Sequence, residues 1–461
     1  EGTGAKEKPE VINLPPGKRI IVVGGGPAGM AAAAAAAYLG ARVLLLEKTD
    51  ALGKKLLLSG KGRCNLTNAK PLLDFIAMYG PNGPFLYRAF HTFFREDLLR
   101  LLARQGLDVR TERGGRIFPA TDKAQDVVRA WARHLAEGQV EVHLQSRVTA
   151  LLTQAGRVTG VTTKAASLPA AAVILATGGA SYPATGSSGD GYRLAAALGH
   201  EIVPLRPALV PLLVAEQDLA AGMQGVTLKN IRVSTFRGKA EDIDPRLAPT
   251  YDVGRACARP KSQTAVLESR QGEMMFTHFG LGGPVVLLLS LAAVDALKEG
   301  PVSALIDFKP ALTHEALDRR LQRDLATCGR RTGKSILAGL VPQKLVAPLA
   351  GLAAFPLDQR ASQITADART RLVGLLKGLK FNIRGSLPLE WAIVTAGGVS
   401  LRQIDPYRME SRLVKDLYLA GEVLDIDADT GGYNLQAAFS TGYLAGLCAA
   451  RQVLGDQVRG L

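Results

Sequence analysis

With 461 residues, 47% of them hydrophobic and 21% charged, the chain has the ordinary balance of a soluble globular protein and is too long for one simple core, so two or three domains are expected. No apolar run reaches the roughly 18 residues that a membrane span requires, and nothing else in the sequence points to a membrane. A net charge of +15 leaves two classes open, a protein with an anionic partner such as nucleic acid and a generally basic enzyme.

Residues 1–17, "EGTGAKEKPEVINLPPG", are polar and proline-bearing and read as a loose leader. The next stretch, "KRIIVVGGGPAGMAAAAAAAYLGARVLLLEK", reads as strand, tight turn, helix, strand. Ile20 to Val23 are a buried apolar run of the parallel-sheet kind. Gly24, Gly26 and Gly29 form GxGxxG, with Pro27 and Ala28 opening the helix. Gly24 permits the turn, Gly26 lets a pyrophosphate approach the backbone, and Gly29 lets helix and strand pack. The helix start presents N–H groups and a positive dipole end to the phosphates. Glu47 closes the second strand where a carboxylate accepts from an adenosine ribose, which disfavours a 2′-phosphate. The run Ala31 to Ala37 is small rather than greasy and reads as a tightly packed helix.

A cationic stretch follows, "LGKKLLLSGKGRCNLTN". Between Ala51 and Leu73 there are five basic residues and no acidic one. Read as a loop running from the adenosine toward a cofactor ring, it offers Lys54, Lys55, Lys61 and Arg63 to phosphates, with Lys48 just before it. Ser59, Gly60 and Gly62 shape the turn, and glycine lets the backbone come close. Asn65 and Asn68 either bond the ring edge or hold the turn. Arg63 is the best single candidate for a charge-assisted contact.

Two later segments choose FAD over NAD. In "AAVILATGGASYPATGSSGDGYRLAAALG" a strand, Val173 to Ala176, ends in Thr177, Gly178 and Gly179, and another helix begins near Gly191. In "KDLYLAGEVLDIDADTGGYNLQAAFSTGYLAG" a short strand ends in Gly421 and Glu422, and a helix begins near Gly432, Tyr433, Asn434 and Leu435. A strand arriving this late to rejoin the first sheet makes the nucleotide domain discontinuous. FAD-binding folds of the glutathione-reductase type are built this way, with N–H groups at that last helix stabilising negative charge on a reduced flavin.

With these motifs in place, the chain resembles the YhiN-like or BaiN-like family of bacterial FAD-dependent oxidoreductases. The resemblance rests on "GKKLLLSGKGRCNLTN", "GGRIFPATDKAQDV", "GEMMFTHFGLGGPVVLLLS", "AIVTAGGVSL" and "LYLAGEVLDIDADTGGYNLQAAFSTGYLAG". Gly282 departs mildly from the family, where serine is common. The resemblance implies an α/β fold: a Rossmann-like FAD domain, an inserted β-barrel domain and a helical insert. The linear pattern agrees, with β-like runs from 200 to 308, helical character from 311 to 375, then strand character again. The expected divisions are 18–199 with 391–461 for FAD, 200–310 with 376–390 for the barrel, and 311–375 for the insert.

Cys64, His278 and Arg63 are the catalytic candidates. A cysteine beside an arginine near a flavin has a route to a lowered pKa, and His278 is an acid–base candidate; the alternatives are a small buried cysteine and a structural histidine. The four cysteines, Cys64, Cys257, Cys328 and Cys448, lie far apart. That excludes a paired-cysteine redox centre within one loop, argues against a metal site, and fits a reducing cytoplasm. No second GxGxxG sits in a βαβ unit, so NADH or NADPH is expected to dock transiently as electron donor. The resemblance implies several substrates: a uracil in ribosomal RNA, unsaturated steroid-type molecules, or small amines. Charge favours RNA. Between Lys309 and Lys344 there are eight basic residues against three acidic ones, although no RNA-recognition motif is present and a solvated helix face is the plainer alternative.

Overall fold

The computed structural model describes residues 19–254 and 266–455; the expected leader and Cys257 lie outside them. The described residues form two compact units. The first runs to Arg206 and resumes at Val394; the second is Pro207–Ile393.

The first unit is built on a five-stranded parallel sheet. Its order is Leu417–Leu419, Ala172–Leu175, Ile20–Val23, Val43–Leu46, Glu141–His143. Ile20 stands opposite both Ala172 and Val43. All four residues of each of the strands Ile20–Val23, Val43–Leu46 and Ala172–Leu175 are buried. This is why they are continuous apolar runs rather than alternating ones.

Helix Pro27–Tyr38 has Ala28 to Ala37 buried without exception. A helix apolar all round must be covered on every side. One cover is the C-terminal helix, Tyr433–Leu454. A Cβ added at Gly442 would lie 2.1 Å from the Ala28 carbonyl oxygen, and one at Gly446 would lie 2.1 Å from that of Ala32. The alanine run and these two glycines are therefore one feature: they let two backbones touch.

The second unit is a closed barrel of six antiparallel strands. Around it run Leu212–Val214, Gly280–Gly282, Val266–Thr277, Thr227–Arg237, Val302–Asp307 and Leu379–Ser386. Between the last two lie helices His314–Thr327, Gly333–Ala338, Gln343–Ala353 and Ala366–Lys377. Thr313, Thr332 and Thr365 cap three of them through their hydroxyls, the residue type that start signal calls for. The helices share the barrel's core, with Leu317, Leu321, Leu372 and Leu376 packed in one cluster with Ile306 and Phe381. Lys377 is buried and donates to Asp307 (2.6 Å) and to the carbonyls of Lys309 and Leu312. One difference from the sequence reading is helix Pro284–Ala296, which lies inside the segment read as β-like. Its run "PVVLLLSLAAVDA" is apolar on nearly all sides, so no periodicity marks it as helical.

Candidate flavin site

Each segment singled out for FAD ends at the carboxyl side of the parallel sheet in the first unit. The chain leaves strand Ile20–Val23 through Gly24 at φ +109°, a conformation that favours glycine. A Cβ there would lie 2.4 Å from the Ala176 carbonyl oxygen, and one at Gly29 would lie 1.8 Å from that of Gly24. Gly26 differs: a Cβ on it would meet nothing within 4 Å. Gly26 is also the N-cap of helix Pro27–Tyr38, which has no side-chain cap and no acidic residue in its first turn. Open space before uncapped N–H groups is the cradle a pyrophosphate requires.

Glu47 is buried and accepts from Gly25 N and Thr49 N, both at 2.7 Å. Each carboxylate oxygen keeps a lone pair for a ribose hydroxyl. Gly25, which the motif leaves unspecified, is therefore a working part of the turn. A Cβ on it would sit 2.4 Å from Leu52 and 3.1 Å from Glu47.

The second segment, Thr177–Gly179, follows strand Ala172–Leu175. A Cβ on Gly179 would lie 2.5 Å from Thr395 Oγ1 and 2.9 Å from Glu422. Thr177 Oγ1 is buried without a hydrogen-bond partner among the described residues. A hydroxyl left so is costly unless a bound group satisfies it.

In the third segment, Gly432 is the N-cap of helix Tyr433–Leu454, again with no side-chain cap and no acidic residue in the first turn. Asn434 closes the preceding turn, accepting from Ala428 N (2.9 Å) and donating to Ala428 O (2.8 Å). The Tyr433 carbonyl accepts from the Tyr79 hydroxyl at 2.7 Å, and Leu435 packs against the core.

The opening cationic stretch is a short helix, Lys54–Leu58, rather than loop throughout, followed by a turn. Gly60, Lys61, Gly62 and Cys64 all have positive φ, and Ser59 Oγ donates to Leu56 O. Of the two roles open to the asparagines, the structure shows turn-holding. With its amide oriented to satisfy both atoms, Asn65 donates to Thr67 O and accepts from Gly432 N. Asn68 donates to Gly114 O and Gly431 O, both at 3.1 Å.

Four of the cations read as facing FAD phosphates, Lys48, Lys54, Lys55 and Arg63, are each paired with a carboxylate, and Lys61 is exposed. Lys54 pairs with Asp50, and Lys48 with Asp190 at 2.9 Å. Lys55 donates to Ser181 (2.7 Å) and to both oxygens of Glu422 (2.9 and 2.7 Å). It thereby ties together the cationic stretch, the second segment and the third. Glu422 also accepts from Thr395 N at 2.9 Å. Arg63 donates to Glu112 (2.9 Å) and Asp122 (3.3 Å), and its guanidinium lies 4.1 Å from the Phe118 ring centroid. The Glu112 hydrogen bond raises the Arg63 pKa, and its Arg63 partner lowers that of Glu112. Glu112, Asp122, Ser181 and Thr395 were absent from the sequence reading, since no local signal links them to the stretch they serve.

For Cys64 the structure supports the small buried cysteine over the activated thiol. It is wholly buried in the core of the first unit. Burial pushes its thiol up to about 12, against a small lowering by its hydrogen bond with Ser59. Arg63 does not activate it, because the guanidinium is spent on Glu112 and Asp122. His278 belongs to the second unit, where its side chain is exposed on the turn after strand Val266–Thr277. Its carbonyl accepts from Gln217, and its ring meets Phe279 edge-on, centroids 4.8 Å apart. Among the described residues no group of three or more His, Cys, Asp or Glu is placed to hold a metal, and no helix is long and apolar enough to cross a membrane.

The residues present therefore fit a flavin dinucleotide: an open phosphate cradle, a ribose acceptor, an unsatisfied hydroxyl and a second uncapped helix N-terminus. Comparison with known proteins agrees. Residues 18–448 match the family described as "HI0933-like protein Rossmann domain". The chain is 33% identical to a 3-dehydro-bile acid delta(4,6)-reductase of Clostridium scindens, over 89% of this chain and 93% of that protein. It is 27% identical to a ribosomal RNA dihydrouridine synthase of Haemophilus influenzae, over 90% and 94%. A protein of the same description from Escherichia coli is 29% identical over 88% and 91%. The chain belongs to the HI0933-like Rossmann family and is an FAD-dependent oxidoreductase.

Proposed function

We propose that this enzyme reduces the carbon–carbon double bond of a uridine in 23S ribosomal RNA, taking electrons from NADH or NADPH. The observation that carries this reading is charge. The net charge is +15, and the stretch from Lys309 to Lys344 holds eight basic residues against three acidic. Arg319, Arg323, Arg330, Arg331 and Lys334 are all exposed in the second unit. Such a surface supplies the phosphate contacts on which RNA affinity depends. The two relatives described as ribosomal RNA dihydrouridine synthases support the same substrate.

A bound flavin supplies the two-electron reduction. The chain's own tasks are to hold the cofactor, orient the substrate and deliver one proton. Gly26, Glu47, Thr177 and the N-terminus of helix Tyr433–Leu454 hold it. Of the two acid–base candidates, Cys64 is sealed in the core of the first unit and holds its proton too tightly to serve, whereas the His278 side chain, in the second unit, reaches solvent.

A second reading is a small steroid-like substrate, favoured by the 33% identity to the bile acid reductase. Both readings ask for the same chemistry, because a 3-keto-Δ4 system and the uracil ring each carry a double bond conjugated to a carbonyl. NADH oxidation measured with a ribosomal RNA fragment, with a 3-keto-Δ4 steroid, and with neither separates them. RNA-dependent oxidation with dihydrouridine in the digested product is expected. Oxidation stimulated by the steroid alone would reverse the choice.

A further inference from the structure

Between strands Val302–Asp307 and Leu379–Ser386, the turns at the helix ends line an open surface cleft of about 490 Å³. The turn Thr327–Arg331 forms one wall, with Arg360 and Ser362 on the other. Arg360 lies 29 positions beyond Arg331 along the chain, and backbone pairing brings them together. Thr332 and Arg360 form an antiparallel bridge. Ala361 N donates to Arg331 O (2.7 Å), Gly333 N to Gln359 O (2.9 Å) and Ser362 N to Gly329 O (3.4 Å). Beneath them Leu325, Ile336, Phe355 and Ala361 are buried in the unit's core, so the three arginines stand on a fixed base.

No carboxylate lines this cleft. Among the described residues Arg330, Arg331 and Arg360 form no ion pair, whereas nearby Arg320 pairs with Asp324 and Arg369 with Asp318. Three cations converging without a counter-charge repel one another, and an anion relieves that repulsion. Guanidinium is the planar fork that matches a phosphate in bidentate fashion. The volume lies within the roughly 300–1,000 Å³ of small-ligand sites. Arg330, Arg331, Arg360 and Ser362 are all exposed, so the cleft is open to a polymer that must enter and leave.

We infer that this cleft grips phosphodiester groups of the RNA substrate, the three arginines bonding backbone phosphates while the base is presented elsewhere. The inference rests on the RNA reading above and deepens it. Its test uses the full-length holoenzyme and a ribosomal RNA fragment titrated between 50 and 200 mM salt. The variant R330Q/R331Q/R360Q is compared with R129Q/K164Q/R402Q, which removes the same charge from exposed positions of the first unit. Unchanged flavin absorbance and melting temperature establish that each variant is folded.

The cleft variant should flatten the slope of log affinity against log salt by about 0.7 to 0.9 for each phosphate no longer neutralised, or roughly 2 to 3 in all. Over this fourfold range of salt its affinity should then fall about thirtyfold less than that of the wild type. Equal flattening in the two variants would reduce the effect to general charge and overturn the inference. So would saturable binding of inorganic pyrophosphate, seen by calorimetry and abolished in the cleft variant, with the RNA slope unaltered; a small phosphate would then be the occupant. Dihydrouridine formation by the wild type separates the two claims. If it occurs while the cleft variant keeps the wild-type slope, the cleft is refuted and the substrate stands. If it does not occur, yet the cleft variant alone flattens the slope, the grip stands and the proposed reaction falls. No measurable binding of RNA by the wild type in 50 mM salt would refute both.

Discussion

Substituting Gly442→Ala tests how the first unit positions its two cofactor-facing helices. The new methyl would lie 2.1 Å from the Ala28 carbonyl oxygen and 2.8 Å from the carbonyl carbon. Ordinary contact begins near 3.4 Å, so helices Pro27–Tyr38 and Tyr433–Leu454 must part by roughly an ångström. Both clashing groups are backbone, and no side chain can turn aside. Overpacking of this kind costs about 1–3 kcal/mol, while replacing a mid-helix glycine by alanine returns about 1 kcal/mol in helix propensity. Gly374→Ala supplies the comparison. It lies inside helix Ala366–Lys377, and a Cβ there meets nothing within 4 Å. Propensity is common to both substitutions, so the gap between their effects measures strain alone, about 1–3 kcal/mol. Denaturant unfolding of each variant against the wild type gives that gap, and titration of the apoprotein with FAD shows whether the displaced helix starts still bind. Gly374→Ala should be neutral or stabilising, and Gly442→Ala should be the less stable variant with weakened FAD binding. If Gly442→Ala matched the wild type in both measurements, the close helix packing would not be what holds the cradle.

Three further outcomes follow from the site. Denaturation should release FAD rather than FMN, and Glu47→Ala should lower FAD occupancy under limiting cofactor; unchanged occupancy would remove Glu47 from the ribose site. A thiol-specific reagent at pH 8 should leave Cys64 unmodified in the native protein and label it on unfolding, as peptide mapping would show, and Cys64→Ala should retain turnover; rapid native labelling would contradict the buried, neutral thiol. For Asp190, burial raises the pKa, but hydrogen bonds from Arg147 and Lys48 outweigh it and bring the carboxyl from an ordinary 3.8 to about 2. A folded-state pKa below the unfolded one contributes stability that is complete above about pH 4 and lost as pH falls toward 2. Asp190→Asn should therefore lower stability at neutral pH and flatten the acid limb in that window, and an unaltered acid limb would show that the pair adds nothing.

The sequence by itself determined the parallel strands, the glycine turn after the first of them, the carboxylate that ends the second and the late return of the chain to its first sheet. These are legible because each rests on neighbours within a few residues: an apolar run, a glycine that alone tolerates its φ, an acid at a strand end. It also showed that Ala31 to Ala37 must be tightly packed, but not against what; Gly442 and Gly446 answer that from some four hundred residues away. Tertiary structure alone decided the fate of the charges. Lys55 meets Glu422, Arg63 meets Glu112 and Asp122, and Arg360 joins Arg330 and Arg331. A long flexible cation reaches whatever the fold brings near it, so its partner is set by chain topology and not by local pattern. The same reason explains Cys64, whose neighbour in sequence is an arginine but whose surroundings in space are the core.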